Sequence, residues 1–413
     1  MTHEYPKLRF GLEAFPVEHE GQRLVLVRDR LGYSEESLLI SPAVAGLLTQ
    51  MDGRSSLRDL QAYYTRMTGE LLFSEDLNEI LGRLDELLFL ENDRFIDHVS
   101  RTVGRFQQDP IRHMQHAGKS YPTEPDELRK TLEGFFSPER GGPGIPQPGS
   151  NNSRVVGLVA PHIDLQAGGP TFAHAYKAAM EALPPDTWVV LGTGHEPVDN
   201  YFALTQKEFE TPLGLVSCDH AFCEDLLARA PRDLKAGEYN HHREHSVEFQ
   251  AVFLAFTQPK ARIVPLLCSF GQEDWDIDRA YIDQVAEAIR DTARNRNYSV
   301  GFLASVDLAH IGPRYGDHFR PHPGTVTQHL QADVDLLHIL EKCDAEVFIQ
   351  RINREQNRRR VCGMAPLYLL ARILGGTAEG RILDHRHASV DTENSFVTFA
   401  SMAFYSPVHS NPG

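Results

Sequence analysis

From residue 153 onward, near-continuous apolar runs alternate with stretches of helical periodicity, and this alternation constrains the fold more than any other feature. The runs are Val155-Val156-Gly157-Leu158-Val159-Ala160, Trp188-Val189-Val190-Leu191, Ile263-Val264-Pro265-Leu266-Leu267 and Val300-Gly301-Phe302-Leu303-Ala304-Ser305. Strands without polar alternation are covered on both faces. Helical stretches at 170–182, 218–230, 244–257 and 277–295 lie between and around them. The pattern predicts an α/β fold with a central sheet flanked by helices.

Three of these runs lead straight into a histidine. Val159-Ala160-Pro161-His162-Ile163-Asp164 ends one, Leu191-Gly192-Thr193-Gly194-His195-Glu196-Pro197 another, and Ser305-Val306-Asp307-Leu308-Ala309-His310-Ile311-Gly312 the third. In open α/β sheets, ligands bind in the crevice beyond the carboxyl ends of the strands. Imidazoles delivered there, beside Gly and Pro that set sharp turns, could converge on one metal. A lone histidine at a strand end is more often a satisfied polar residue; three in one recurring context point to a site. Of 20 histidines, five precede residue 151 and 15 follow it, so imidazole is concentrated where these strands are. No zinc-finger spacing is present, and no structural zinc site is expected.

A fourth candidate is Arg360-Val361-Cys362-Gly363-Met364-Ala365-Pro366, ahead of the apolar helix Leu367–Leu374. A thiol at a helix start has its thiolate stabilised by the dipole and the unpaired amides, which suits a metal ligand or a reactive cysteine. The plainer alternative is a small hydrophobe under the helix, the reading adopted for Cys218, Cys223, Cys268 and Cys343. The segment His241-His242-Arg243-Glu244-His245-Ser246-Val247-Glu248 enters the 244–257 helix. His245 and Glu248, three apart, share a face near its first turn. They either line the crevice, as a proton-transfer pair or as support for a metal ligand, or form a polar helix start favoured by the dipole.

Upstream, residues 22–95 read as one small unit. Strand candidates Arg23–Arg28 and Glu36–Ile40 precede a helix opening at Ser41-Pro42 and closed by Asp52-Gly53, a helix over 56–68, and a Leu-rich helix over 74–90. Two strands, three helices and an extended end suggest a winged-helix-like α+β module. It has no basic recognition helix for DNA. Residues 138–152, rich in Gly and Pro, form a loop.

Asp plus Glu number 57 and Lys plus Arg 41, a formal charge of −16. That field repels nucleic-acid phosphates and anionic lipid, and no apolar run approaches the roughly 20 residues of a membrane helix. Neither nucleic acid nor membrane is an expected partner. Met1-Thr2-His3-Glu4-Tyr5-Pro6-Lys7 lacks a signal peptide's basic start and apolar stretch, and the five cysteines are odd in number and scattered. A cytoplasmic setting with reduced thiols is the expectation.

Ala160-Pro161-His162, Gly192-Thr193-Gly194-His195, Glu244-His245-Ser246-Val247-Glu248, Ser305-Val306-Asp307-Leu308-Ala309-His310 and Val361-Cys362-Gly363 occur in the order seen in the MEMO family. His116-Ala117-Gly118-Lys119-Ser120-Tyr121, followed by a helix at 125–136, resembles the beginning of that family's domain. The resemblance covers about residues 108–406 and moves the domain boundary upstream of the 138–152 loop. It implies a small module with its linker over 1–105 and a MEMO-like α/β domain over 106–413. The small module resembles the PqqD-like domains, winged-helix folds that hold leader peptides for radical-SAM peptide-modifying enzymes; the plain alternative is a small packing domain with no ligand. Bacterial MEMO-like proteins also resemble the B component of the AmmeMemoRadiSam grouping, found alongside a radical-SAM protein. A PqqD-like module ahead of a MEMO-like domain is consistent with that company and implies a radical-SAM partner, with a peptide substrate held by the front module.

The MEMO resemblance further implies a fold related to the LigB-type extradiol dioxygenases, which open catechol rings with non-haem iron. Mapped by motif, His162, His195 and Cys362 are the implied metal ligands, and His310 matches the dioxygenases' acid/base histidine. A thiol stands where those enzymes have a carboxylate, and this softer ligand prevents ring cleavage from carrying over. Iron or copper is the leading expectation for the metal, with zinc the alternative. The expected function is a metal-dependent redox enzyme in which His310 moves protons, Asp307 supports it, and His245 with Glu248 lines the entrance. Two rivals stand beside it. One is a binding protein whose crevice captures a peptide or partner, the other a zinc-dependent hydrolase with His310 as base.

Overall fold

A computed structural model describes residues 4–151 and 153–406; Met1–His3, Asn152 of the Gly/Pro-rich loop and residues 407–413 lie outside the described residues. The chain divides into two compact units, Met1–Gln108 and Asp109–Gly413.

In the first unit β1 (Leu12–His19), β2 (Gln22–Asp29) and β3 (Leu38–Ile40) form an antiparallel sheet in that order. It is followed by α1 (Pro42–Leu48), α2 (Leu57–Thr68), α3 (Ser74–Glu86) and α4 (Asp93–Gln108). Ser41 caps α1 by accepting the Val44 amide, and Ser56 with Asp59 forms a capping box on α2. Leu47, Leu60, Leu77, Leu81, Leu84 and Phe89 build the core. Two elements go beyond the sequence reading. Pro16 disguises β1, which occupies a sheet edge where a missing amide is tolerated. The strongly charged α4 buries no residue fully, yet Phe95, Val99, Val103 and Phe106 recur along one face at helical spacing, a signal the sequence reading did not use.

The second unit begins with β4 (Ile111–Arg112) and α5 (Pro125–Phe135), then β5 (Val155–Ala160), α6 (Leu165–Glu181) and β6 (Thr187–Thr193). Short strands β7 (Phe202–Leu204), β8 (Glu208–Thr211) and β9 (Gly214–Val216) precede α7 (His220–Arg229) and α8 (His245–Thr257). Next come β10 (Arg262–Cys268), α9 (Gln272–Arg294), β11 (Val300–Ser305) and β12 (His310–Ile311). The unit closes with α10 (Pro323–Glu341), α11 (Ala345–Arg354), α12 (Met364–Leu374), β13 (Glu379–Ser389) and β14 (Phe396–Tyr405).

The chain is therefore mixed α/β, and an eight-stranded sheet dominates the second unit. Its order is β12-β14-β5-β11-β6-β10-β7, with β13 paired to β14. β5, β11, β6 and β10 run parallel, whereas β14 and β7 lie antiparallel to their neighbours. Val189 and Leu191 of β6 pack into the cluster built with α7, α9 and α12, and Trp188 and Val190 into the one built with α5, α6 and α8. That two-residue alternation, apolar on both faces, is why the central strands lack polar positions.

α6 starts at Leu165 rather than Pro170, because Asp164 caps it by accepting the Gln166 amide. α9 starts at Gln272, ahead of the expected 277, and kinks at Asp278. The hairpin β13–β14 is absent from the sequence reading; Arg381, Asp384, His385, Arg386 and His387 mask β13. No helix among the described residues is long and apolar enough to cross a membrane.

Candidate metal centre

Strand order brings the histidine motifs together. β11 lies between β5 and β6, so the segments leaving these three parallel strands emerge side by side, neighbouring strands being about 4.8 Å apart. His162 follows β5, His195 follows β6, and Asp307 and His310 follow β11. Cys362 arrives from the loop before α12. Gly363 makes this approach feasible: a Cβ there would stand 2.4 Å from Val306 Cβ and 2.9 Å from the Asp307 carbonyl. Its amide donates to that carbonyl (3.1 Å).

One ligand atom from each of His162, His195 and Cys362 lies within 4.8 Å of the others. His162 is buried, Cys362 half-buried and His195 exposed at the mouth. The His162 Nδ1 faces the Ser305 carbonyl at 3.0 Å, which places the proton on Nδ1 and the lone pair on Nε2. That Nε2 is 3.4 Å from Cys362 Sγ. Burial, reinforced by the neighbouring His195, lowers the His162 pKa to about 3, so the ring is neutral. The His195 Nδ1 contacts both Glu244 carboxylate oxygens at 3.0 and 3.1 Å, which turns its Nε2 toward the cluster. Two imidazoles with fixed tautomers and a thiol suit a metal held by three protein ligands with further positions open. The cluster could hold a metal ion.

Cys362 departs from the helix-start argument. α12 begins only at Met364, and Cys362 Sγ points at the Asp307 carbonyl (3.5 Å) instead of unpaired amides. Burial pushes the thiol pKa up, against the opposing hydrogen bond from His195. The other four cysteines are buried, as expected of small hydrophobes.

Asp307 Oδ1 accepts the amides of His162 (3.1 Å) and Ile163 (3.2 Å), locking the turn after β5. Burial raises its pKa to about 6 despite those bonds and the nearby His310. The His310 Nδ1 lies 3.1 Å from the carbonyls of both Leu308 and Arg360, so its Nε2 carries the lone pair. Burial lowers its pKa, leaving a neutral base.

His245 joins the cluster: its ring stacks on His195 (centroids 4.7 Å) and meets His162 edge-on (5.3 Å). Glu248 does not join it. Its carboxylate is fully buried, pairs with Arg112, and accepts from Tyr121 Oη (2.5 Å) and the His116 amide (2.9 Å). It ties the segment before α5 to α8 and is not at the entrance.

The residue that sequence reasoning misses is Glu244. As the N-cap of α8 it accepts the Ser246 amide (2.9 Å), the His195 amide (3.0 Å) and the His195 ring. Burial opposes its ionisation, but His195 and His245 outweigh that and hold the carboxyl well below the usual range. Glu244 in turn raises the His195 pKa against the effect of burial. Gly192 permits the contact: a Cβ there would stand 2.7 Å from Val247 and 2.9 Å from Ser246 Oγ, holding α8 off β6. The available signal was an acidic residue at a helix N-cap beside a candidate ligand.

An open mixed sheet with a His-His-Cys cluster at the carboxyl ends of its central parallel strands defines a candidate metal-binding α/β protein. The family model for Memo-like protein matches residues 112–403. A MEMO1 family protein of Aquifex aeolicus is 28% identical over 402 residues, spanning 97% of this chain and 100% of that protein. One of Methanopyrus kandleri is 35% identical over 202 residues, 48% of this chain and 68% of that protein. One of Thermus thermophilus is 25% identical over 337 residues, 81% of this chain and 94% of that protein. The chain belongs to the Memo-like family.

Proposed function

We propose that this chain is a cytoplasmic metal-dependent redox enzyme whose metal is held by His162 Nε2, His195 Nε2 and Cys362 Sγ. The observation that carries the reading is that one ligand atom from each of the three residues lies within 4.8 Å of the others, with Nδ1 of each imidazole facing an acceptor. Iron or copper suits a set of two imidazoles and a thiolate, and when bound would supply one-electron chemistry and a coordination position for oxygen or substrate. Within the chain, Glu244 orients the His195 ring and Ser305 the His162 ring. His310 accepts a proton at Nε2, and Asp307, with a pKa of about 6, supports it and fixes the His162 turn. His245 forms an imidazole wall beside His195.

The first unit is assigned the role of a PqqD-like, winged-helix-like module that holds a peptide for a radical-SAM partner. Supporting this, β3 is an edge strand beside a groove of about 390 Å³ lined by Leu38, Ile40, Val44, Ile80 and Leu84. Asp76, Glu79 and Arg83 complete its wall. An edge strand beside an apolar groove can take an extended peptide as an added strand.

The test is elemental analysis of protein purified without added metal, in parallel with His195→Ala and Cys362→Ser. Near-stoichiometric iron or copper, lost in both variants, is expected. Stoichiometric metal retained in both would overturn the ligand assignment. Oxygen uptake by the loaded protein separates redox chemistry from zinc-dependent hydrolysis, since zinc has no redox chemistry.

A further inference from the structure

The metal centre uses the carboxyl ends of the central strands. At their amino ends a second concavity opens, a cavity of about 680 Å³ beside the starts of β5 and β11 and the ends of α9 and α12. Three arginines line it. Arg154 comes from the segment entering β5, while Arg290 and Arg294, four apart in α9, share one helical face. None of the three forms an ion pair or side-chain hydrogen bond with a described residue, and Arg290 Nε is buried without a partner. No Asp or Glu lines the cavity, in a chain whose acids outnumber its bases 57 to 41.

Attraction of cations to the end of a helix accounts for Arg294. It does not account for Arg154, which belongs to a strand entry, nor for the orphaned Nε of Arg290. Asp186, behind Ser299, feels the charge of Arg154 without pairing with it. Arg290 and Arg294 have no carboxylate partner among the described residues, and like charges gathered in this way repel one another. An oxyanion in the cavity offsets the gathered positive charge, because guanidinium groups pair with carboxylate or phosphate through strong charge-assisted hydrogen bonds.

Val156, Phe302, Ile373 and Leu374 form the apolar part of the wall. Of the four hydroxyls in the lining, those of Ser299, Tyr298 and Thr377 are engaged with Asp186 (2.7 Å), Asp219 (2.7 Å) and the Leu374 carbonyl (2.7 Å), and that of Ser406 stands beside the arginines. Recognition of charge here falls to the three arginines. The volume lies in the roughly 300–1,000 Å³ range of small-molecule sites.

We propose that this cavity binds a small amphipathic organic anion, its carboxylate or phosphate held by Arg154, Arg290 and Arg294 and its apolar body against Phe302 and Leu374. The site is independent of the metal centre and of the function assigned to it.

Calorimetric titration of the full chain with hexyl phosphate and hexanoate tests this, with hexanol and inorganic phosphate as single-feature probes. Saturable binding of at least one amphipathic anion is expected, and the tighter of the two identifies the head group. Each single-feature probe should bind about tenfold or more weakly, because neither makes both kinds of contact. Arg290→Met and Arg154→Gln should each weaken the anion about tenfold or more, the loss of one charge-assisted contact. Arg154 is exposed, so Arg154→Gln keeps the test interpretable if the other variant folds poorly. Unchanged affinity in Arg154→Gln, hexanol binding as tightly as the anions, or no saturable binding of either anion up to about 10 mM would overturn the proposal.

Discussion

Replacing Glu244 by Gln probes how the centre is organised without touching a proposed ligand. The carboxylate accepts from the His195 amide (3.0 Å), the His195 Nδ1 (3.0 and 3.1 Å) and the Ser246 amide (2.9 Å). Glutamine offers one acceptor oxygen to these three donors and turns an NH₂ group against at least one of them. Hydrogen bonds to a charged partner contribute about 1.5–3 kcal/mol, against about 1 for neutral pairs. Losing charge assistance and one acceptor therefore costs about 1.5–3 kcal/mol in the orientation of the His195 ring. At about 1.4 kcal/mol per decade, that is a ten- to hundredfold loss of metal affinity. An opposing effect is present: without the carboxylate, His195 gives up its proton more readily, which aids binding. Affinity is therefore measured by competition with a chelator across pH and read on the alkaline plateau, where protons no longer compete. Circular dichroism of the metal-free variant checks the fold. Plateau affinity within about twofold of the parent would refute the claim that Glu244 sets the ring.

Two further predictions concern the scaffold. Glu248→Ala leaves the buried Arg112 without its counter-charge and should lower the unfolding free energy by about 3–5 kcal/mol in urea titrations; a loss under about 1 would show the pair is not structural. His241 is buried with its pKa lowered to about 4, mainly by burial, against about 6.5 when unfolded. The unfolded chain thus binds the extra proton between those values, so its contribution is complete above pH 6.5 and lost as pH falls toward 4. The metal-free His241→Gln variant should show a shallower fall over that window, by up to about 1.4 kcal/mol per pH unit; parallel curves would contradict the assignment.

The central strands were legible because burial on both faces leaves an unbroken apolar text, and the histidine motifs because each follows such a run. Their convergence was not legible. It depends on β11 inserting between β5 and β6, and sequence order carries no record of that. Glu248 shows the limit of helical spacing: three residues span about 300°, so His245 and Glu248 diverge by roughly 60° and meet different neighbours. One faces His195, while the other faces Arg112, far away in sequence. Glu244 was obscured by its place at a helix start, where an acidic residue needs no further explanation. The β13–β14 hairpin was not legible because β13 is half solvated and interrupts its few apolar residues with Arg381, Asp384, His385, Arg386 and His387, and its pairing with β14 exists only in three dimensions.

The proposed function requires a metal bound by two imidazoles and one thiolate. X-ray absorption at the metal edge reads this directly on protein loaded with iron or copper. One sulfur neighbour at about 2.3 Å and nitrogen neighbours near 2.0–2.1 Å are predicted by analogy with zinc sites, the sulfur vanishing in Cys362→Ser and a nitrogen in His195→Ala. A shell of light atoms alone in the parent protein, unchanged in both variants, would contradict it.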